Sequence, residues 1–270
     1  MCIVALAWQV IDDLPICLIS NRDEFYQRPS QALHQWSDQA IIAGRDVVQG
    51  GTWMGVTATG RWAVLTNFRN GRDQNTYPTS RGHIVSDFLN SDLAPIRFAK
   101  QLEAKQCDYA GFNFICGDQQ QAVYMSNRGE APQVLARGVY VVSNGLMSEH
   151  WEKTRHLRKR FTQEILPLLQ QDAAQVEMAV WDVLEDQRQV LPELLPETGI
   201  SVQMEQLLSS TFIQSPNYGT RCSNFLCLKQ QQWVWLEKNQ QAEASAQMVK
   251  ISQQLQSKNP SRGGIFKAWI

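Results

Sequence analysis

The second residue of the chain is a cysteine, in MCIVALAWQV, and the next apolar run ends on the charged tetrapeptide Asn21-Arg22-Asp23-Glu24. Methionine aminopeptidases remove Met1 when the following side chain is small, which would leave Cys2 with both a thiol and a free α-amine. That amine has a pKa of about 7.7–8.0, close to working pH, so it can take the proton of its own thiol. A thiol near its ordinary value of about 8.5 is the most easily activated uncharged nucleophile. One residue would then supply nucleophile and base. The alternative role for Cys2 is a small apolar side chain that opens a buried strand.

Arg22 next to Asp23 can form a hydrogen-bonded ion pair that holds the thiol and raises its thiolate fraction; an ordinary surface turn is the plainer alternative. Four more stretches place polar residues where a strand ends: LTNFRN (Asn67), MSNRGE (Asn127, Arg128), YVVSNG (Ser143, Asn144) and SPNYGTRCS (Tyr218, Arg221). Asn67 and Asn144 are candidate oxyanion donors, and Arg221 a candidate for binding a carboxylate or developing negative charge. Asn21, Glu24, Trp53 and Tyr218 are the accompanying candidates for binding substrate. Cys222 is expected on the opposite face of its strand from Arg221.

Such residues need strand ends to carry them. Residues 2–11 and 15–20 predict a hairpin around DDLP, with the chain leaving the sheet at NRDE. Short runs at 40–44, 52–58 and 62–68, punctuated by Gly50-Gly51 and Thr59-Gly60, predict further strands. Helices are expected from Thr79 or Ser80 to about 90 and over 93–105, strands across 110–144, and helices over 148–170 and 172–187. Strands resume at 211–213, 218–228 and 232–238. The Gln-rich stretch to 256 reads as a surface strand and then a polar helix, and GIFKAWI as a closing edge strand. Strands, then helices, then strands is the order of antiparallel sheets with segregated helices, an α+β protein, rather than of alternating βαβ units.

The chain has 270 residues, enough for a substantial core, and residues 1–270 are expected to form one domain. A net charge of −1 gives no global field for nucleic acid or an anionic membrane. No run reaches the ~18 apolar residues of a membrane span. The six cysteines show no CxxC pair and the four histidines no ligand spacing, so no metal site is expected. With no export signal read at the N-terminus, a cytoplasmic protein with reduced thiols is expected. The basic helix EKTRHLRKRF reads as a solvated face.

The motifs MC, NRDE with a following RP, GGTWMG, LTN, SRG, GFNFI, NRGE, VVSN and YGTR occur here in that order. In this the chain resembles the NRDE-motif family, the transport and Golgi organisation protein 2 family. The resemblance runs from Met1 to about Arg221. It implies a fold similar to the N-terminal-nucleophile (Ntn) hydrolases, an αββα sandwich of two antiparallel sheets between helix layers. By similarity to the penicillin and bile-acid amidases of that superfamily, Cys2, Arg22, Asp23, Asn67, Asn144 and Arg221 are the implied catalytic set. Two functions stay open. One is hydrolysis of amide or related acyl bonds of a small molecule, with no cofactor required. The other, from the family's association with haem trafficking, is a non-catalytic protein that binds haem. A scaffold for other proteins is a weaker third reading.

Overall fold

Two apolar runs separated by Asp12-Asp13 pair as an antiparallel hairpin, β1 (Cys2–Ile11) and β2 (Leu14–Phe25), in a register that sets Cys2 opposite Arg22. The computed structural model describes residues 2–129, 131–171, 174–240 and 247–256. β2 does not stop at NRDE. It continues through Asn21, Arg22, Asp23 and Glu24, and the first three of these are buried. Such residues are poor strand formers, but each has a tertiary partner, and context overrides weak propensity.

A seven-stranded antiparallel sheet follows: β3 (Ser30–Gln35), β4 (Ile42–Asp46), β5 (Met54–Val56), β6 (Trp62–Asn67), β7 (Phe112–Gly117), β8 (Ala122–Ser126) and β9 (Gln133–Val134), in sequence order. The short edge strand β3 escapes the sequence pattern because only Leu33 in it is buried. The hairpin sits in a second, six-stranded sheet. Its order is β10 (Gly138–Val142), β1, β2, β11 (Tyr218–Lys229), β12 (Gln232–Asn239) and β13 (Gln247–Gln254).

Alternation along the strands gives each sheet two apolar faces. Val4, Leu6, Trp8, Ile16, Leu18, Trp233 and Trp235 meet Met54, Val56, Trp62, Val64 and Ile115 between the sheets. On the outer face of the second sheet, Ile3, Ala5, Cys17 and Ile19 pack under α3 (Glu152–Arg160), α4 (Leu166–Gln170) and α5 (Val176–Leu184). A π-helical turn, Phe161–Ile165, joins α3 to α4 just before Pro167, whose missing N–H breaks the α ladder. The other sheet buries Ala63, Leu65, Phe112 and Phe114 against two helices from earlier in the chain, α1 (Gly82–Asn90) and α2 (Pro95–Glu103). The result is the expected α+β sandwich, helix layer, sheet, sheet, helix layer.

Three expectations change. Residues 211–213 form no strand; the neighbouring Gln214 makes an isolated bridge to Gly219. A short helix, α6 (Val202–Leu207), capped by the Ser201 side chain on the Met204 N–H, was not anticipated. Where a polar helix was expected, β13 pairs with β12, because Val249 and Ile251 recur at a strand's period of two and pack on the inter-sheet core. GIFKAWI lies outside the described residues. Among the described residues, no helix is long and apolar enough to cross a membrane.

Candidate active site

Cys2 is the first residue of β1 and shares the parity of Val4 and Leu6, so its side chain faces the gap between the sheets. It is 8% exposed and lines a cavity of about 160 Å³ together with Arg22, Asp23, Glu24, Trp53, Asn67 and Arg81, among others. Burial pushes the Cys2 thiol above its ordinary pKa, and Asp23 adds to the rise while Arg22 opposes it. Arg22 thus acts on the thiol in the expected direction, and burial outweighs it.

Alternation also separates Arg22 from Asp23. Arg22 faces the gap between the sheets, where its guanidinium lies 4.3 Å from the Trp53 ring centroid and its Nη2 3.8 Å from Asp46 Oδ2 on β4. Asp46 also takes Arg28 Nε at 2.6 Å and the backbone N–H groups of Val48 and Gln49. The expected Arg22–Asp23 pair is thus replaced by a pair with Asp46. Asp23, on the helix side of the strand, accepts a hydrogen bond from Thr220 Oγ1 at 2.8 Å. Burial raises its pKa, against the attraction of Lys153 and that hydrogen bond.

Asn67, the last residue of β6, lines the cavity from the facing sheet. Asn144 does not. It is buried just past β10, and its Nδ2 donates to the Asn67 carbonyl at 2.8 Å. That amide is therefore occupied and positions Asn67. Ser143 Oγ shares its proton between the Cys2 carbonyl at 3.0 Å and Asn144 Oδ1 at 3.1 Å. A continuous chain of contacts thus runs from Cys2 in one sheet to Asn67 in the other. Thr66 and Asn113 anchor the same corner by donating to the Ser143 carbonyl.

Arg221 is also outside the cavity lining. It sits at a β-bulge, where the register of β11 against β2 slips between Thr220 and Cys222. Its Nη1 donates to the Phe25 and Arg28 carbonyls at 2.8 and 2.9 Å. The same bulge puts Cys222 opposite Arg22, in one row with Cys2. Asn21 points the other way, and its Nδ2 bonds the Leu184 and Thr211 carbonyls at 2.7 and 2.9 Å. It ties β2 to the helix layer and does not line the cavity. The Tyr218 hydroxyl donates to the Asp23 carbonyl at 3.1 Å, and its ring packs edge-on against Phe25.

The cavity wall is closed by the two-glycine corner. Gly50 adopts φ +75°, and a Cβ on Gly51 would come within 2.5 Å of the Gly82 backbone, so only glycine fits there. Trp53 lies flat between that corner and Arg22, over Gly44.

Two further residues went unread. Arg81 lines the cavity from the residue before α1. Lys153 on α3 is 5% exposed, donates to the Leu208 carbonyl at 3.1 Å, and has a pKa lowered to about 8, by burial first and against the pull of Asp23. The signal for Lys153 was present, since it extends the four-residue row of Leu157, Phe161 and Ile165 that faces the sheet. The basic helix is therefore only partly a solvated face.

Among the described residues no group of three or more His, Cys, Asp or Glu is placed to hold a metal ion. The Cys2 cavity has a largely polar wall, and its volume of about 160 Å³ is below the range of roughly 300–1,000 Å³ typical of sites for drug-sized ligands.

The fold and site together define a class: a four-layer αββα protein whose second residue, a cysteine, faces a polar cavity between the sheets. The chain belongs to the Transport and Golgi organisation 2 family, whose model matches residues 1–243. It is 33% identical over 229 residues to the Bos taurus Transport and Golgi organization protein 2 homolog, covering 78% of this chain and 81% of that one. The Homo sapiens homolog is 30% identical over 224 residues, with the same coverage. Among solved structures the chain is similar to a Caenorhabditis elegans N-acylethanolamine-hydrolyzing acid amidase ortholog. That likeness has a TM-score of 0.45 and 10% identity, over 83% of this chain and 92% of that one. It is also similar to a variant of conjugated bile acid hydrolase from Clostridium perfringens, with a TM-score of 0.49 and 8% identity over 92% of each chain.

Proposed function

We propose that this protein hydrolyses an amide or related acyl bond of a small molecule, with Cys2 as N-terminal nucleophile after Met1 is removed. The observation that carries this reading is the position of Cys2 at the head of a central strand, facing a cavity whose opposite wall presents Asn67. The raised thiol pKa fits a mechanism in which sulfur is deprotonated only as it attacks.

The α-amine of Cys2 takes the thiol proton as sulfur bonds to the substrate carbonyl carbon. The carbonyl oxygen becomes an oxyanion, which the Asn67 side-chain amide faces. The Asn144 hydrogen bond and the Ser143 bridge hold that amide at a set distance from Cys2. Collapse breaks the acyl bond, and the leaving group departs with the proton from the amine. A water then gives its proton to the same amine and attacks the thioester, releasing acid and thiol. Arg22, clamped by Asp46 and Trp53, sets the electrostatics of the wall without transferring a proton.

The test is turnover of small N-acyl amides and thioesters by the purified protein and by Cys2→Ala. The proposal expects hydrolysis that disappears in Cys2→Ala while the thermal midpoint is kept. Equal turnover by a folded Cys2→Ala protein would end it.

A further inference from the structure

The cavity wall carries three guanidinium groups, and two of them share one carboxylate. Arg22 and Arg28 converge on Asp46 Oδ2, at 3.8 and 2.6 Å. The third, Arg81, has no carboxylate within ion-pair distance among the described residues. Its Nη1 donates to the neutral Gly111 carbonyl at 2.8 Å, and the other guanidinium N–H groups are left for a ligand. Two more acids line this wall: Glu24 turns Oε1 back to the Phe25 N–H at 2.9 Å, and Asp23 accepts from Thr220 Oγ1 at 2.8 Å. Burial works against the charge of Arg81, Cys2 and Glu24 favour it, and Arg28 opposes it. Two more donors in the wall, Arg22 Nη1 and Trp53 Nε1, are buried without an acceptor. Native proteins seldom leave such donors without a water, ion or ligand. The wall has donors to spare, and its guanidinium fork matches a carboxylate in two parallel hydrogen bonds.

We infer that Arg81 is the specificity anchor of this cavity and selects small acyl compounds that carry a carboxylate near the scissile bond. The word acyl rests on the reading of Cys2 as nucleophile; the carboxylate subsite does not. The cavity volume restricts the ligand to fewer atoms than a drug-sized molecule, of the size of a five-carbon diacid.

The test is calorimetric titration of the full chain with glutarate and with its neutral diamide, in wild type, Arg81→Met and Arg81→Lys, at low salt. Glutarate should bind wild type at least tenfold more tightly than the diamide does, and should lose at least tenfold in Arg81→Met. Arg81→Lys should restore part of that loss, since it returns the charge but not the fork. Should Arg81→Met fail to fold, the glutarate-to-diamide ratio on wild type and on Arg81→Lys still decides. Binding of the diamide as tightly as glutarate, no binding of glutarate to wild type, or equal binding by a folded Arg81→Met protein would overturn the inference. If glutarate binding depends on Arg81 while no acyl compound is turned over, the subsite stands and the reading of Cys2 falls.

Discussion

Asn144 donates its side-chain amide to the Asn67 carbonyl at 2.8 Å and so joins the two sheets at the edge of the Cys2 cavity. The Asn144 carbonyl in turn accepts the Arg69 N–H at 2.7 Å, which makes the link reciprocal. Because Ser143 bridges Asn144 to Cys2, this link also sets how far Cys2 stands from the facing wall.

The two asparagines should therefore fail differently. On the proposed mechanism, Asn67→Ala removes the amide assigned to the oxyanion and should lower kcat by about 10²–10³ with little change in stability. Asn144→Ala removes a buried bond and leaves the Asn67 carbonyl without it, a cost of about 1–3 kcal/mol. Its kcat loss should be smaller and accompanied by a lower urea midpoint. Loss of activity in Asn144→Ala at full stability, as large as in Asn67→Ala, would mean that Asn144 acts on substrate directly.

Asn21 is predicted to matter for folding only. It is 0% exposed, and Asn21→Ala would strip hydrogen bonds from both the Leu184 and Thr211 carbonyls, costing about 2–4 kcal/mol in all. Thermal unfolding should show this, while KM measured well below the lowered midpoint should hold. A shifted KM would place Asn21 at the substrate.

Lys153 gives a stability signature with a definite sign. Its folded pKa of about 8 lies below the ordinary lysine value of 10.5. Between those two values the unfolded chain binds a proton that the native chain has released, so Lys153 makes stability rise with pH across that window. The unfolding free energy of wild type minus that of Lys153→Met, from urea titrations, should climb from pH 8 to pH 10, by on the order of a few kcal/mol at most. A flat difference would show that the ammonium is solvated.

Much of the fold was legible because hydrophobic period and turn residues act locally. β1, β6, β7, β8 and β12 follow from their apolar runs, and the glycine corner at 50–51 from its two glycines. Legibility failed where distant contacts decide. NRDE reads as a strand exit until Asp46, Thr220 and the helix layer supply its partners. β13 reads as polar until Val249 and Ile251 find the inter-sheet core. In the site, residue types singled out Cys2, Arg22 and Asn67, all of which line the cavity. The roles of Asn144 and Arg221 depend on a cross-sheet hydrogen bond and a bulge, and neither leaves a trace in spacing. Arg81 follows a loop whose route only the folded chain defines.

The account stands most directly on the state of the N-terminus, since Cys2 has an α-amine to use as base only when Met1 is gone. Intact mass spectrometry of the full chain, expressed in cells with active methionine aminopeptidase, reads that state without a substrate. The expected mass is that of the 270-residue chain less one methionine residue. A uniform population that retains Met1, and still hydrolyses acyl substrates through Cys2, would contradict the mechanism.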